Sequence, residues 1–198
     1  MSTAEGPPAP EIGVLALQGD FEAHAAMLGG AGARVREVRV PADLLGLDAL
    51  VLPGGESTTM ALGIEREGLA GPLRDFCSSG RPVLGTCAGM IILGRDHLGV
   101  LDASVRRNAF GRQIRSFEHD VDLGLDGGPV RAAFIRAPWV DDYGPGVEVL
   151  AEVDGHAVAV RQGALLAVSF HPEVTGDDRL HQELVVDAAR ARMRSGAT

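Results

Sequence analysis

The sequence contains no lysine; all 18 of its basic residues are arginine. Chemistry that needs a Schiff-base lysine, or the lysine of a phosphate-binding P-loop, is therefore excluded. A basic stripe is missing too. Acidic residues number 27 and the formal charge is -9, so a nucleic-acid ligand would be repelled. No run of about 18 apolar residues occurs, so no membrane-spanning helix is expected. Ser2 to Pro10 is small, polar and proline-rich, with neither a basic start nor an apolar stretch. It reads as a flexible tail over residues 1–10 and not as a signal peptide. Cysteine is scarce: Cys77 and Cys87 stand ten residues apart, with no CxxC pair. That spacing fits neither a zinc site nor a disulfide framework and points to a reduced, cytoplasmic protein. A cysteine kept there is an inert core residue or a nucleophile.

At 198 residues, 45% hydrophobic and 23% charged, the chain has the length and balance of one soluble domain, taken as residues 11–198. Ile12–Leu17, Asp48–Leu52, Pro82–Gly85 and Leu165–Phe170 are apolar-rich runs that read as buried strands, and Arg34–Val40 reads as another. Phe21 to Leu28 has helical spacing and stops at Gly29-Gly30. Ser57 is placed to cap a helix running to about Gly68, Pro72 to start the next, and Asp178–Met193 to close the chain as a helix. From Ala103 to Arg161 the runs are shorter and broken by Gly, Pro and Asp, which predicts antiparallel strands at the sheet edge. Strand–helix alternation predicts an α/β fold, a mostly parallel sheet with helices on both faces.

Ligands of such sheets sit at the carboxyl ends of the strands, and three unusual peptides fall there. Gly85-Thr86-Cys87-Ala88-Gly89 has the form of a nucleophile elbow between strand and helix. A cysteine at that point meets the positive end of a helix, and the N–H of Ala88 can donate to a developing oxyanion. On this peptide alone a buried core cysteine is an equal reading. His171 and Glu173, two residues apart at a strand's end, are expected to point to one side, the glutamate orienting the imidazole. Pro53-Gly54-Gly55-Glu56-Ser57 offers a second oxyanion donor near Gly55, or a plain turn and helix cap. Cys77 lacks an elbow and reads as structural. His24, His97, His119, His156 and His181 read as surface or packing residues, and the acidic neighbours of His119 as solvated charge.

These peptides resemble the class I, triad glutamine amidotransferases, and more closely their branch of pyridoxal 5'-phosphate synthase glutaminase subunits. The matching segments are IGVLALQGDFEAH (12–24), LPGGESTTM (52–60), GTCAGMIIL (85–93), RRNAFGRQ (106–113), FIRAP (134–138) and SFHPEVT (169–175). Ile91 stands where many other amidotransferases carry Gln four residues after the cysteine, which argues against the nucleotide, anthranilate and carbamoyl-phosphate branches. Ala109 stands where a Ser is usual. The resemblance implies a flavodoxin-like three-layer sandwich that hydrolyses glutamine to glutamate and ammonia. It implies a partner as well, a (β/α)8-barrel synthase that receives the ammonia, joined in a large hetero-oligomer. Pyridoxal phosphate is then the partner's product, and neither cofactor nor metal is expected in this chain.

Carried over residue by residue, the resemblance makes Cys87 the nucleophile, His171 the proton carrier and Glu173 its support. Gly55 and Ala88 supply oxyanion N–H groups, and glutamine is held by Gly55, Glu56, Ser57, Arg107, Ile135 and Arg136. The arginine types suit a carboxylate and Glu56 suits an ammonium. Gln18 is expected to face the oxyanion loop and the partner. Consecutive glycines permit a peptide flip, so the isolated chain is expected to be weakly active until the partner docks.

Overall fold

The computed structural model describes residues 8–110 and 116–195. Most of the expected tail over residues 1–10 lies outside the described residues, as do Gly111, Arg112 and Gln113 of the RRNAFGRQ segment. The first half of the chain alternates β1 (Glu11–Leu15), α1 (Phe21–Gly30), β2 (Arg34–Val38), β3 (Ala49–Leu52), α2 (Ser57–Arg66), α3 (Ala70–Ser78), β4 (Val83–Thr86) and α4 (Ala88–Leu93). Then come β5 (Ala103–Arg106), β6 (Ser116–Val121), β7 (Val130–Ile135), β8 (Trp139–Tyr143), β9 (Glu148–Val153), β10 (His156–Gln162) and β11 (Leu165–Val168). A single-turn α5 (Pro172–Thr175) and the long α6 (Arg179–Ser195) close it.

Strands β2, β1, β3, β4 and β11 lie side by side and parallel, the flavodoxin strand order. Beyond β11 the sheet continues antiparallel through β10, β8 and β5, with β9 also on β10. Side chains alternate between two cores, as a strand's period of two requires. Leu50 and Leu52 of β3 join Met60, Ile64, Leu73, Phe76 and Ile92 from α2, α3 and α4 on one face. Ala49 and Val51 face Leu28 of α1 and Leu180, Leu184 and Ala188 of α6 on the other. The result is an α/β three-layer sandwich. Among the described residues no helix is long and apolar enough to cross a membrane.

Strands β6 and β7 depart from the expected edge extension. Among the described residues their ladder runs between the two of them, as a separate antiparallel ribbon. Val121, Val130, Ala132 and Phe134 belong to the core that α1 and α6 share, so burying that apolar side lays the ribbon over a face of the sheet. One bridge, Ala133 to His171, ties the ribbon to the end of β11.

Candidate active site

The end of β4 carries the elbow. Cys87 has φ 46 and ψ -101, a left-handed backbone in a residue that is not glycine. Such a conformation costs of order 1–3 kcal/mol and persists only where its surroundings enforce it. Backbone bonds do so here: Cys87 N–H donates to Val168 O on β11 at 2.8 Å. The flanking glycines serve close packing, not the turn itself. A Cβ on Gly89 would run into the carbonyl of Leu52, and one on Gly85 into Leu93 and the Gly89 backbone. Ala88 opens α4, so its N–H is among those a helix leaves without an internal partner. Cys77 is buried in the core, and burial pushes its thiol up to about 12.

His171 follows β11 and is the N-cap of α5, with Glu173 in that helix's first turn. The two meet because the chain turns into a helix there, not because they share one side of a strand as the sequence reading supposed. His171 Nδ1–H donates to Glu173 Oε1 at 2.6 Å. Burial works against a charge on His171, but its hydrogen bonds and attraction to Cys87 and Glu173 outweigh that and raise it to about 10. Burial likewise opposes a charged Glu173, yet the bond from His171 and the attraction of that ring hold its pKa below the ordinary value. A Cβ on Gly54 would strike the His171 ring, so the Pro53-Gly54-Gly55 turn packs flat on the imidazole. The Cys87 sulfur lies 4.0 Å from the carbonyl oxygen of Ile135 at the end of β7.

A cleft of about 380 Å³ opens in front of these groups. Gly55, Glu56, Ser57, Cys87, Arg107, Ile135, Arg136 and His171 all line it, joined by Gln18 and Asn108. Gly55 has φ 144, and a Cβ there would strike Gln18 and Gly19. Gln18 Oε1 accepts from Glu56 N–H at 2.7 Å, which places Gln18 against the Pro53-Gly54-Gly55 loop. Ser57 is not the helix cap. Glu56 caps α2, accepting from Thr58 N and Thr59 N at 3.1 and 2.7 Å. Those bonds, led by the Thr59 backbone, hold the Glu56 carboxyl down at about 2. Thr59 Oγ1 and Arg107 Nη2 add contacts at 2.8 and 3.1 Å. The Glu56 carboxylate thus carries four contacts, while half of its side chain stays exposed at the cleft. Arg136, with φ 47, has no side-chain partner among the described residues.

Two histidines read from the sequence as surface or packing residues are buried in the core next to this site. His24 and His181 are wholly buried, and both stand behind Glu173. A signal for His24 was available: it lies one helical turn from Leu28, the other buried residue of α1. His119 is exposed, and its neighbours Glu118 and Asp120 are paired with Arg131. Asp20, His171 and Glu173 bring ligand-type atoms within 4.8 Å of one another, around the His171–Glu173 hydrogen bond.

A parallel-sheet sandwich with a strained cysteine elbow beside a His–Glu pair defines the glutamine amidotransferase class. A solved structure described as a glutamine amidotransferase superimposes with a TM-score of 0.82 and 46% identity, covering 89% of this chain and 98% of that one. The model of the SNO glutamine amidotransferase family matches residues 14–190, and the chain belongs to that family. Among curated relatives, pyridoxal 5'-phosphate synthase subunit PdxT of Acidothermus cellulolyticus is 56% identical over 93% of this chain and 97% of its own length. The subunit of the same name from Mycolicibacterium vanbaalenii is 56% identical over 89% of this chain and 97% of its own.

Proposed function

We propose that this chain is the glutaminase subunit of a pyridoxal 5'-phosphate synthase, converting L-glutamine to L-glutamate and ammonia. The observation that carries the reading is the meeting, in one cleft, of strained Cys87, His171 backed by Glu173, and Arg136, which has no side-chain partner among the described residues. Cys87 Sγ attacks the side-chain amide carbon, and the thiol proton resides on His171. Gly55 and Ala88 N–H groups receive the oxyanion. As the intermediate collapses, His171 protonates the departing nitrogen, releasing ammonia and leaving a thioester. Water, deprotonated by His171, then frees glutamate. Glu173 holds the imidazole in place and stabilises its charge.

Gly55, Glu56, Ser57, Arg107, Ile135 and Arg136 form the glutamine pocket. Because Glu56 already engages Arg107, Arg136 is the guanidinium that takes the substrate α-carboxylate. The ammonia goes to a (β/α)8-barrel synthase subunit in a hetero-oligomer, and the names and length of the curated relatives support such a partner. Docking completes the site by fixing the Gly54–Gly55 peptide, whose ends are held by Asp20 N–H on Gly54 O and by Gln18 on Glu56 N–H. The test is glutamate release with and without the synthase subunit. Turnover is expected to rise on mixing and to vanish in Cys87→Ala. Unchanged turnover in that variant would refute the mechanism.

A further inference from the structure

Behind the His171–Glu173 pair lies a second, fully enclosed pair of histidines. His24 on α1 and His181 on α6 are shielded from solvent, and His24 Nδ1 is 2.8 Å from His181 Nε2. On its other side His24 Nε2 stands 3.4 Å from Glu173 Oε2. It is also 3.2 Å from Oγ1 of Thr86, the residue before Cys87. His171 occupies Glu173 Oε1, whereas Oε2 is buried and makes no full hydrogen bond among the described residues. A buried carboxylate oxygen without a donor is strongly disfavoured. The His24 ring, 3.4 Å away, is a donor able to serve it.

The carboxylate also favours one position for the His24 proton, one in which the Thr86 hydroxyl acts as acceptor or turns away. A lone pair on Nε2 would face negative charge, so Nε2 carries the hydrogen and Nδ1 accepts from His181 Nε2–H. His181 Nδ1 is then a bare acceptor, in keeping with its lack of a partner. Burial comes first in lowering the pKa of both rings, which keeps them neutral donors at working pH. The charged and titratable groups facing them are Glu173 from α5, His171 at its cap, Asp20 before α1 and Asp178 before α6.

We propose that His24 is a positioning residue for the glutaminase reaction. Its Nε2–H closes onto Glu173 Oε2, with His181 fixing its tautomer, and so holds the carboxylate anionic and aimed at His171. The chain of contacts runs from His181 through His24 and Glu173 to His171, beside Cys87. It links α6 and α1 to the elbow, and it rests on the roles given above to Cys87, His171 and Glu173.

The test uses the chain together with its synthase partner. His24→Leu removes the donor and is expected to lower kcat roughly 10- to 100-fold, the value of a hydrogen bond to a charged group, with KM little changed. The acidic limb of its pH profile moves upward, because Glu173 then takes a proton more readily. His24→Gln presents an amide N–H near the lost Nε2–H and restores most of kcat and the original limb. A wild-type profile in both variants overturns the role, and so does equal impairment of both with no movement of the limb. Ring-nitrogen NMR of the unaltered chain needs no variant: a proton on His24 Nε2 supports the role, and one on Nδ1 overturns it. Wild-type turnover independent of Cys87 would instead sink the proposed function, so the two failures are separable.

Discussion

Among the described residues four non-glycine positions have positive φ, and three of them, Cys87, Asn108 and Arg136, line the one cleft. Strain gathered in this way marks where the backbone is shaped for chemistry more than for stability. Arg136 lines the cleft exposed, with no side-chain partner among the described residues. Arg136→Ala is expected to raise KM for glutamine about 10- to 100-fold while leaving kcat within a few-fold, as for loss of a charge-assisted bond to bound substrate. Steady-state kinetics decide it; an unaltered KM would move the carboxylate site elsewhere. Cys87, His171 and Glu173 were legible in the sequence because glycine and proline punctuate their peptides. The occupied carboxylate of Glu56 was not. Its bonds to Thr58, Thr59 and Arg107 depend on which residue caps α2 and on a loop brought close only by folding.

The ribbon of β6 and β7 shows what elements contribute to the site. Phe117 stacks on Phe134 with ring centroids 4.7 Å apart, and Phe134 meets Phe170 at 5.5 Å and Phe110 at 5.7 Å. Phe134 directly precedes Ile135 and Arg136, and Phe170 directly precedes His171. In a chain with only 4% aromatic residues, this cluster couples the ribbon to the end of β11. Phe134→Ala should therefore destabilise the fold by about 3–5 kcal/mol, read from urea unfolding. A loss below about 1 kcal/mol would show that the rings do not anchor the ribbon. The parallel strands and their helices were readable from apolar runs and glycine stops. The ribbon was not, since Phe117, Phe134 and Val121 look alike whether they extend an edge or cover a face. Only the competition for buried area decides between those.

At the scale of the whole molecule, the parallel sheet brings together peptides far apart in the chain: 53–57 after β3, 85–89 at the end of β4 and 171–173 after β11. Strand order alone accomplishes this, which is why the main parts of the site could be named from sequence. The buried histidines could not be joined to it in the same way. Their meeting requires α1 and α6, 157 residues apart at His24 and His181, to pack on one face of the sheet. The central claim is that Cys87 is the nucleophile of a glutaminase. Its most direct test is intact-mass analysis after exposure to a glutamine-analogue electrophile, followed by peptide mapping. The account predicts one adduct per chain, on Cys87, absent from Cys87→Ala, with buried Cys77 unmodified. Labelling at Cys77, or glutamate release by a chain whose Cys87 stays unlabelled, would contradict it.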